Sequence, residues 1–245
     1  MILELDCGNS FIKWRLLTSS RSVSKAGVAS GISDILGGLL ESGVTEVARC
    51  RMVSVRSDVE TRAIISVLSE SLGVDVVLAR PAERLAGVVN AYQDYQRLGL
   101  DRWLAIVGAF DLCGGACLII DVGTAVTVDL VAGDGRHLGG YIAPGMALLR
   151  GQLVAHTRRI QYGAEETDLV LNNIGPGKST AEAVERGCLI MLKSYISSQV
   201  IRAEDHLGED FVTYITGGDA LLVADLPSVT SVPDLIFRGL ALACP

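Results

Sequence analysis

Two short stretches of the chain share a pattern that could do chemistry. In LELDCGNSFIKWRLL, residues 3–17, an apolar run ends at Asp6 and turns through Cys7, Gly8, Asn9 and Ser10 before an alternating run resumes. In CLIIDVGTAVTVDLV, residues 117–131, an apolar run ends at Asp121 and turns through Val122, Gly123 and Thr124. A glycine turn after a strand offers backbone N–H groups with no Cβ in the way, so a phosphate can approach closely. Asn9, Ser10 or Thr124 adds a directed donor. The carboxylate ahead of each turn repels bare phosphate, but it can hold a hydrated Mg²⁺ or a monovalent cation that bridges to phosphate. One such turn is ordinarily only a turn. Here two lie 121 − 6 = 115 residues apart, close to half of a 245-residue chain. That offset predicts an internal duplication, with the two turns facing each other across a ligand cleft.

Three further places carry candidate chemistry. Thr216-Gly217-Gly218-Asp219 is another glycine turn after an apolar run. Such a turn lets a flat adenine or ribose lie on backbone, or simply passes a strand into a helix. Asp101-Arg102 sits at the start of an apolar helical segment, where Asp101 either caps the helix or is held for proton transfer. Gly175-Pro176-Gly177-Lys178-Ser179-Thr180 ends like a phosphate-cradling loop, yet Asn172 stands where that motif needs its first glycine, and the preceding Asp168–Leu171 run is short and late. It reads instead as the N-terminus of a helix capped by Ser179, able to hold a substrate carboxylate or hydroxyl. Cys113 and Cys117 form a CxxxC without a second ligand pair, so the six cysteines read as thiols in apolar patterns. His137, His156 and His206 show no ligand spacing.

Strands and helices must position these residues. Residues 2–5 and 11–17 read as an antiparallel hairpin, followed by a helix over 32–41, a strand over 46–55, a helix from the capping box Ser57-Asp58-Val59-Glu60 to Leu72, and a strand over 74–78. A helix opens at Asp101 and breaks at Gly114-Gly115. Strands over 117–120, 125–131 and around 141–143 follow, with a helix over 146–160. The capping box Ser179-Thr180-Ala181-Glu182 opens a helix to about Ala203. A strand over 211–215 and a last helix over 234–243 close the chain. The expected fold is α/β, with a first domain over 1–114 and a second over 115–245.

Composition narrows the partners. The chain is 49% hydrophobic with only 5% aromatic residues, so aliphatic side chains fill the core. Net charge is −7 and no basic run exceeds a pair, which speaks against nucleic acid and anionic membrane. No apolar stretch reaches the roughly 18 residues of a membrane span. Glu4 and Asp6 interrupt the first apolar run, unlike a signal peptide, so the expected location is cytoplasmic.

MILELDCGNSFIKW, Gly99-Leu100-Asp101-Arg102, IDVGTAVTVDLV, GGYIAPG and Gly217-Gly218 together, in this order and spacing, resemble the type III pantothenate kinases. The paired Asp-x-Gly turns alone are shared by the whole actin-like, sugar-kinase and acetate-kinase superfamily; the Gly-x-Asp-Arg segment and short length narrow it. The resemblance implies two ribonuclease-H-like domains related by duplication, with a nucleotide cleft between them, and ATP-dependent phosphorylation of the primary hydroxyl of pantothenate. It implies that Asp6, Cys7, Gly8, Asn9, Ser10, Phe11, Ile12 and Lys13 form the first phosphate loop. Gly123 and Thr124, with Gly217 and Gly218, would meet ATP. Asp101 would be the general base, and Tyr92, Gly99, Leu100, Asp101, Arg102 and Thr180 would touch pantothenate. Asp121 would bind potassium or ammonium, Asp6 would face Mg²⁺, and the assembly would be a homodimer. Residue chemistry alone also admits an ATP-binding regulator with the same two turns but no need of Asp101, or a kinase of another small alcohol such as a sugar.

Overall fold

The chain builds two five-stranded sheets with the same strand order, one in each half. The computed structural model describes residues 1–44, 46–163 and 175–245, in two units: Met1–Leu112 with Asp234–Pro245, and Cys113–Pro233. The stretch 168–171 and position 172 lie outside the described residues.

In the first unit, β1 (Ile2–Cys7) is buried on both faces, as a central strand must be. It pairs antiparallel with β2 (Ile12–Leu17), where Ile12, Trp14 and Leu16 point inward and Lys13 and Arg15 alternate with them. β3 (Val23–Ala29) lies antiparallel beyond β2, and β4 (Arg49–Ser54) and β5 (Val76–Leu78) continue in parallel on the other side, giving the order β3-β2-β1-β4-β5. The helices α1 (Ile32–Glu41) and α2 (Asp58–Leu72) serve as connections. Ile35, Leu39, Ile64 and Leu68 from these helices join Leu3, Leu5 and Met52 in the core. Ser57 Oγ accepts from Glu60 N while Glu60 accepts from Ser57 N, so the expected capping box is complete, and Gly73 ends α2 in the left-handed region at φ +67°. A small hairpin, β6 (Arg84–Leu85) and β7 (Val88–Val89), leads to α3 (Leu100–Cys113).

The second unit repeats the plan. β8 (Cys117–Val122) pairs antiparallel with β9 (Ala125–Val131), which pairs antiparallel with β10 (His137–Pro144). β11 (Val212–Thr216) and β12 (Val229–Ser231) lie parallel beyond β8, giving β10-β9-β8-β11-β12. The helices are α4 (Met146–His156) and α5 (Thr180–Leu207), and Val184, Leu189, Leu192 and Ile196 of α5 pack on Leu118, Ile120, Val126 and Val128. α4 stops short of residue 160, and α5 continues past Ala203. Ser179 Oγ accepts from Glu182 N, but the Glu182 carboxylate bonds Lys178 N at 2.6 Å, so this second capping box is only half formed.

The last helix, α6 (Leu235–Ala243), corrects the expectation that residues 115–245 form one domain, because residues 234–245 belong to the first unit. Two glycines explain how α6 meets α3. A Cβ on Gly239 would sit 2.0 Å from Leu104 O, and one on Gly108 would sit 2.4 Å from Leu235 O, so the helix backbones touch directly. A buried ion network holds the same helix to the sheet. Glu4, wholly buried on β1, pairs with Arg15, and its Oε1 lies 2.5 Å from Arg51 Nη2. Arg51 Nη1 donates to Cys244 O at 2.9 Å, Arg15 Nη1 reaches Asp234 Oδ2 at 3.1 Å, and the Arg15 guanidinium stacks on Phe237.

Candidate active site

The first turn runs from β1 to β2. Asp6 is buried in the ladder opposite Lys13, while Asn9, Ser10 and Phe11 are exposed at the tip. The turn is anchored from behind: Val55 N donates to Cys7 O at 3.1 Å and Arg56 Nε donates to Gly8 O at 2.9 Å. A Cβ on Gly8 would sit 3.2 Å from Phe11 O, so glycine keeps the bend tight. Cys7 and Ile12 are fully buried core residues, which confines their part in a phosphate loop to their backbone. Burial, then the neighbouring Asp6 charge, pushes the Cys7 thiol up to about 12, so it is no nucleophile.

A second group gathers at the start of α3. Arg102 Nη1 donates to Tyr92 Oη at 3.2 Å, and Tyr92 N donates to Asn90 Oδ1 at 3.0 Å. Asp101 Oδ1 accepts from Arg102 N at 2.8 Å, and a Cβ on Gly99 would come within 2.8 Å of the same oxygen. The lack of a side chain at Gly99 is thus what gives the Asp101 carboxylate its room. Asp101 lies inside the first turn of α3, after Leu100, rather than at the capping position before it. Leu100 and Arg102 are buried and Asp101 half-buried. Tyr92, Gly99, Leu100, Asp101 and Arg102 therefore come together within the first unit, whereas Thr180 is exposed at the first position of α5 in the second.

The second Asp-Gly turn is the more heavily braced. Gly123 N donates to Ala125 O, Gly145 N to Thr124 O, and Asp219 N to Val122 O, all near 3 Å. Gly217, at φ +103°, presses against the turn: a Cβ there would lie 2.2 Å from Val122 O and 2.5 Å from Asp121 Oδ1. A Cβ on Gly145 would lie 2.0 Å from Gly123 O. Asp121 is half-buried with one carboxylate oxygen against the Gly217 backbone, and Thr124 is exposed. Asp121 opposes Thr127 across the hairpin, as Asp6 opposes Lys13, so the second turn is one residue tighter than the first. Among the described residues no three His, Cys, Asp or Glu side chains cluster as a metal site.

The GPGKST segment has a structural explanation. Gly177 packs on the first turn of α5, where a Cβ would lie 2.4 Å from Ala183 N, and Arg186 donates to the carbonyls of Gly175 and Pro176 at 3.1 and 3.3 Å. Its glycine serves helix packing rather than an open phosphate cradle.

The family model described as type III pantothenate kinase matches residues 2–202. A type III pantothenate kinase of Azotobacter vinelandii is 54% identical over 248 residues, covering all of this chain and 99% of the relative. The chain belongs to the type III pantothenate kinase family. Like that family, it phosphorylates pantothenate on the route to coenzyme A. Among solved structures, a Campylobacter jejuni protein described as a Baf family transcriptional activator superposes with a TM-score of 0.61 at 20% identity, covering 98% of this chain and 95% of its own. A Sinorhizobium meliloti protein described as a 2-dehydro-3-deoxygalactonokinase gives 0.53 at 16% identity, covering 99% and 98%. At such identity these likenesses speak to the fold, two α/β units in one chain, and to nothing finer.

For a pantothenate kinase of this family, two bracing residues had no role assigned from the sequence, although Gly145 closes the GGYIAPG motif. Arg56 holds the first turn and Gly145 supports the second. The signal for Gly145 was present in Pro144-Gly145; Arg56, just ahead of a capping box, carried none. No described helix is long and apolar enough to cross a membrane.

Proposed function

We propose that Asp101 is the general base that takes the proton of the pantothenate primary hydroxyl as the γ-phosphoryl group of ATP moves onto it. The observation that carries this reading is the cluster at the start of α3, where Gly99 makes room for the Asp101 carboxylate and Tyr92 holds Arg102 beside it. Phosphoryl transfer asks the protein mainly for positioning and charge neutralisation. Arg102 supplies a guanidinium suited to the carboxylate of pantothenate, and Tyr92 orients it. In the first unit the backbone and donors of residues 6–13 suit ATP phosphate. In the second unit Gly123 and Thr124 likewise suit phosphate, Gly217 and Gly218 suit the nucleoside, and Thr180 offers a hydroxyl for the acceptor. Asp6 would face the Mg²⁺ that accompanies ATP, which would neutralise phosphate charge, and Asp121 would hold a potassium or ammonium ion.

The enzyme acts in the cytoplasm as a homodimer. Support for the dimer comes from the second unit, where α4 and α5 border an apolar groove of about 710 Å³ that includes Leu149, Leu153 and Met191, with Ile142 and Ile190 exposed nearby.

The test is a coupled assay of ATP turnover with pantothenate, N-acetylglucosamine, glucose or no acceptor, in potassium, ammonium and sodium salts at matched ionic strength. Turnover confined to pantothenate and steeply higher in potassium or ammonium is expected. Equal rates in the three salts would remove the cation from Asp121, and equal rates with sugars would reassign the Tyr92–Arg102 cluster.

A further inference from the structure

The CxxxC left unexplained by the kinase reaction occupies a particular place. Cys113 is the last residue of α3 and the first of the second unit, and Cys117 opens β8. Gly114, at φ +62°, and Gly115 separate them, and a Cβ on Gly114 would meet nothing within 4 Å. The peptide between the two cysteines therefore has both the freedom and the space to let the sulfurs close. The two thiols are hydrogen-bonded to one another, Cys113 Sγ lies 3.3 Å from Gly115 O, and Tyr214 of β11 also bonds the Cys113 sulfur. Cys113 is partly exposed while Cys117 is buried, so an incoming reagent meets Cys113 first and Cys117 waits behind it.

We infer that Cys113 and Cys117 form a reversible dithiol site that exchanges with low-molecular-weight disulfides, Cys113 attacking and Cys117 resolving. In the first step the Cys113 thiolate attacks one sulfur of the small disulfide, a new S–S bond forms, and one small thiolate leaves. In the second step Cys117 gives its proton to solvent and attacks the Cys113 sulfur, releasing the other half of the reagent. Two protein thiols are oxidised by two electrons and one small disulfide is reduced to two thiols.

The hydrogen bond from Cys117, opposed by burial and helped by Gly115, lowers the Cys113 thiol to about 6. At about pH 7 this raises its thiolate fraction roughly ninetyfold over an ordinary thiol, but the weaker nucleophilicity of a more acidic thiol removes most of that, leaving about fourfold in rate. Acidity alone is a small advantage. What sets Cys113 apart is access together with a partner already in contact. Burial pushes Cys7 and Cys50 up to about 12 and also raises Cys188 and Cys244, and the hydrogen bond to Cys113, then burial, raises Cys117, so Cys113 is the thiol that attacks first and Cys117 can follow only after Cys113 has lost its charge to the mixed disulfide.

The experiment treats the full-length enzyme with glutathione disulfide, quenches with acid, alkylates the remaining thiols and maps the peptides. In wild type the expected first product is the Cys113–Cys117 disulfide, reversed by dithiothreitol. In Cys117→Ser, a glutathione adduct is expected to persist on Cys113 because nothing resolves it. The inference is overturned if wild type keeps both thiols open to alkylation while another cysteine is oxidised first, or if no thiol reacts before unfolding. Should Cys117→Ser fold poorly, the wild-type map decides alone, since the position of the first disulfide is read on the native chain. This outcome is independent of which residue serves as the base.

Discussion

Replacing Gly217 by alanine probes how the second Asp-Gly turn is held. The substitution adds one methyl group, yet the structure leaves no place for it. Its Cβ would stand 2.2 Å from Val122 O, and real Cβ contacts do not fall below 3.0 Å, so the backbones must part by at least 3.0 − 2.2 = 0.8 Å. The left-handed φ of +103° adds a second cost. A Cβ in left-handed backbone costs about 1–2 kcal/mol, and overpacking about 1–3 kcal/mol, for a total of about 2–5 kcal/mol from the second unit. The shift falls on Val122 and Asp121, directly beside Gly123 and Thr124. A misplacement of roughly 1 Å can cost on the order of a hundredfold in rate, and that loss is expected in kcat. Gly218→Ala is the stability control, because a Cβ there meets nothing within 4 Å and its φ lies outside the left-handed region. Thermal denaturation of both variants, with coupled turnover of Gly217→Ala, makes the comparison. If Gly217→Ala melts with wild type and turns over at the wild-type rate, the turn is not positioned by that contact.

Two other outcomes follow from buried chemistry. Glu4→Ala strands Arg51, whose side chain is only 3% exposed, and partly strands Arg15; breaking one side of a buried pair costs about 3–5 kcal/mol, so urea denaturation should show a loss of that size and hydrogen exchange should show α6 opening early. A loss below about 1 kcal/mol would mean that water already shares the network. Alkylation of Cys113 by iodoacetamide should be nearly level above about pH 7 and fall about tenfold per pH step well below 6, because the lowered folded-state value keeps the thiolate until the pH drops through it; a midpoint near 9 would show an ordinary thiol.

Much of this architecture was legible in the residues, and the exceptions have physical causes. The hairpin Asp-x-Gly turns stood out because buried strands end abruptly at a carboxylate, and their 115-residue offset foretold two sheets of one strand order. The helix α2 announced itself through Ser57 and Glu60. By contrast β3 carries Ser24, Lys25 and Gly27 on an edge and shows little apolar alternation; Gly27 is there because the Trp14 indole lies over it, with a Cβ position only 3.0 Å from Trp14 Nε1. That is a tertiary reason that no local pattern reveals. The return of α6 to the first sheet likewise depends on Glu4, Arg51 and the backbone of Cys244, which are far apart in sequence and meet only in the fold. In the site, Asp101 was visible as a helix-start carboxylate, but its room beside Gly99 and the Tyr92–Arg102 bond were not. Glu182 satisfied the capping-box pattern and then chose Lys178 N instead of Ser179 N.

The role of Asp101 as the proton acceptor is tested most directly by Asp101→Asn, read in two ways on one preparation. Asparagine keeps the size of the side chain and an oxygen that can accept from Arg102 N at 2.8 Å, so α3 should fold as before. ATP affinity by calorimetry should stay at the wild-type value, because the proposed role of Asp101 is toward the acceptor hydroxyl and not toward the nucleotide. Phosphopantothenate formation should fall by on the order of a hundred- to ten-thousand-fold, the usual cost of losing a general base. A mutant that binds ATP normally and still phosphorylates pantothenate near the wild-type rate would contradict the account and leave Asp101 a residue of the first helical turn alone.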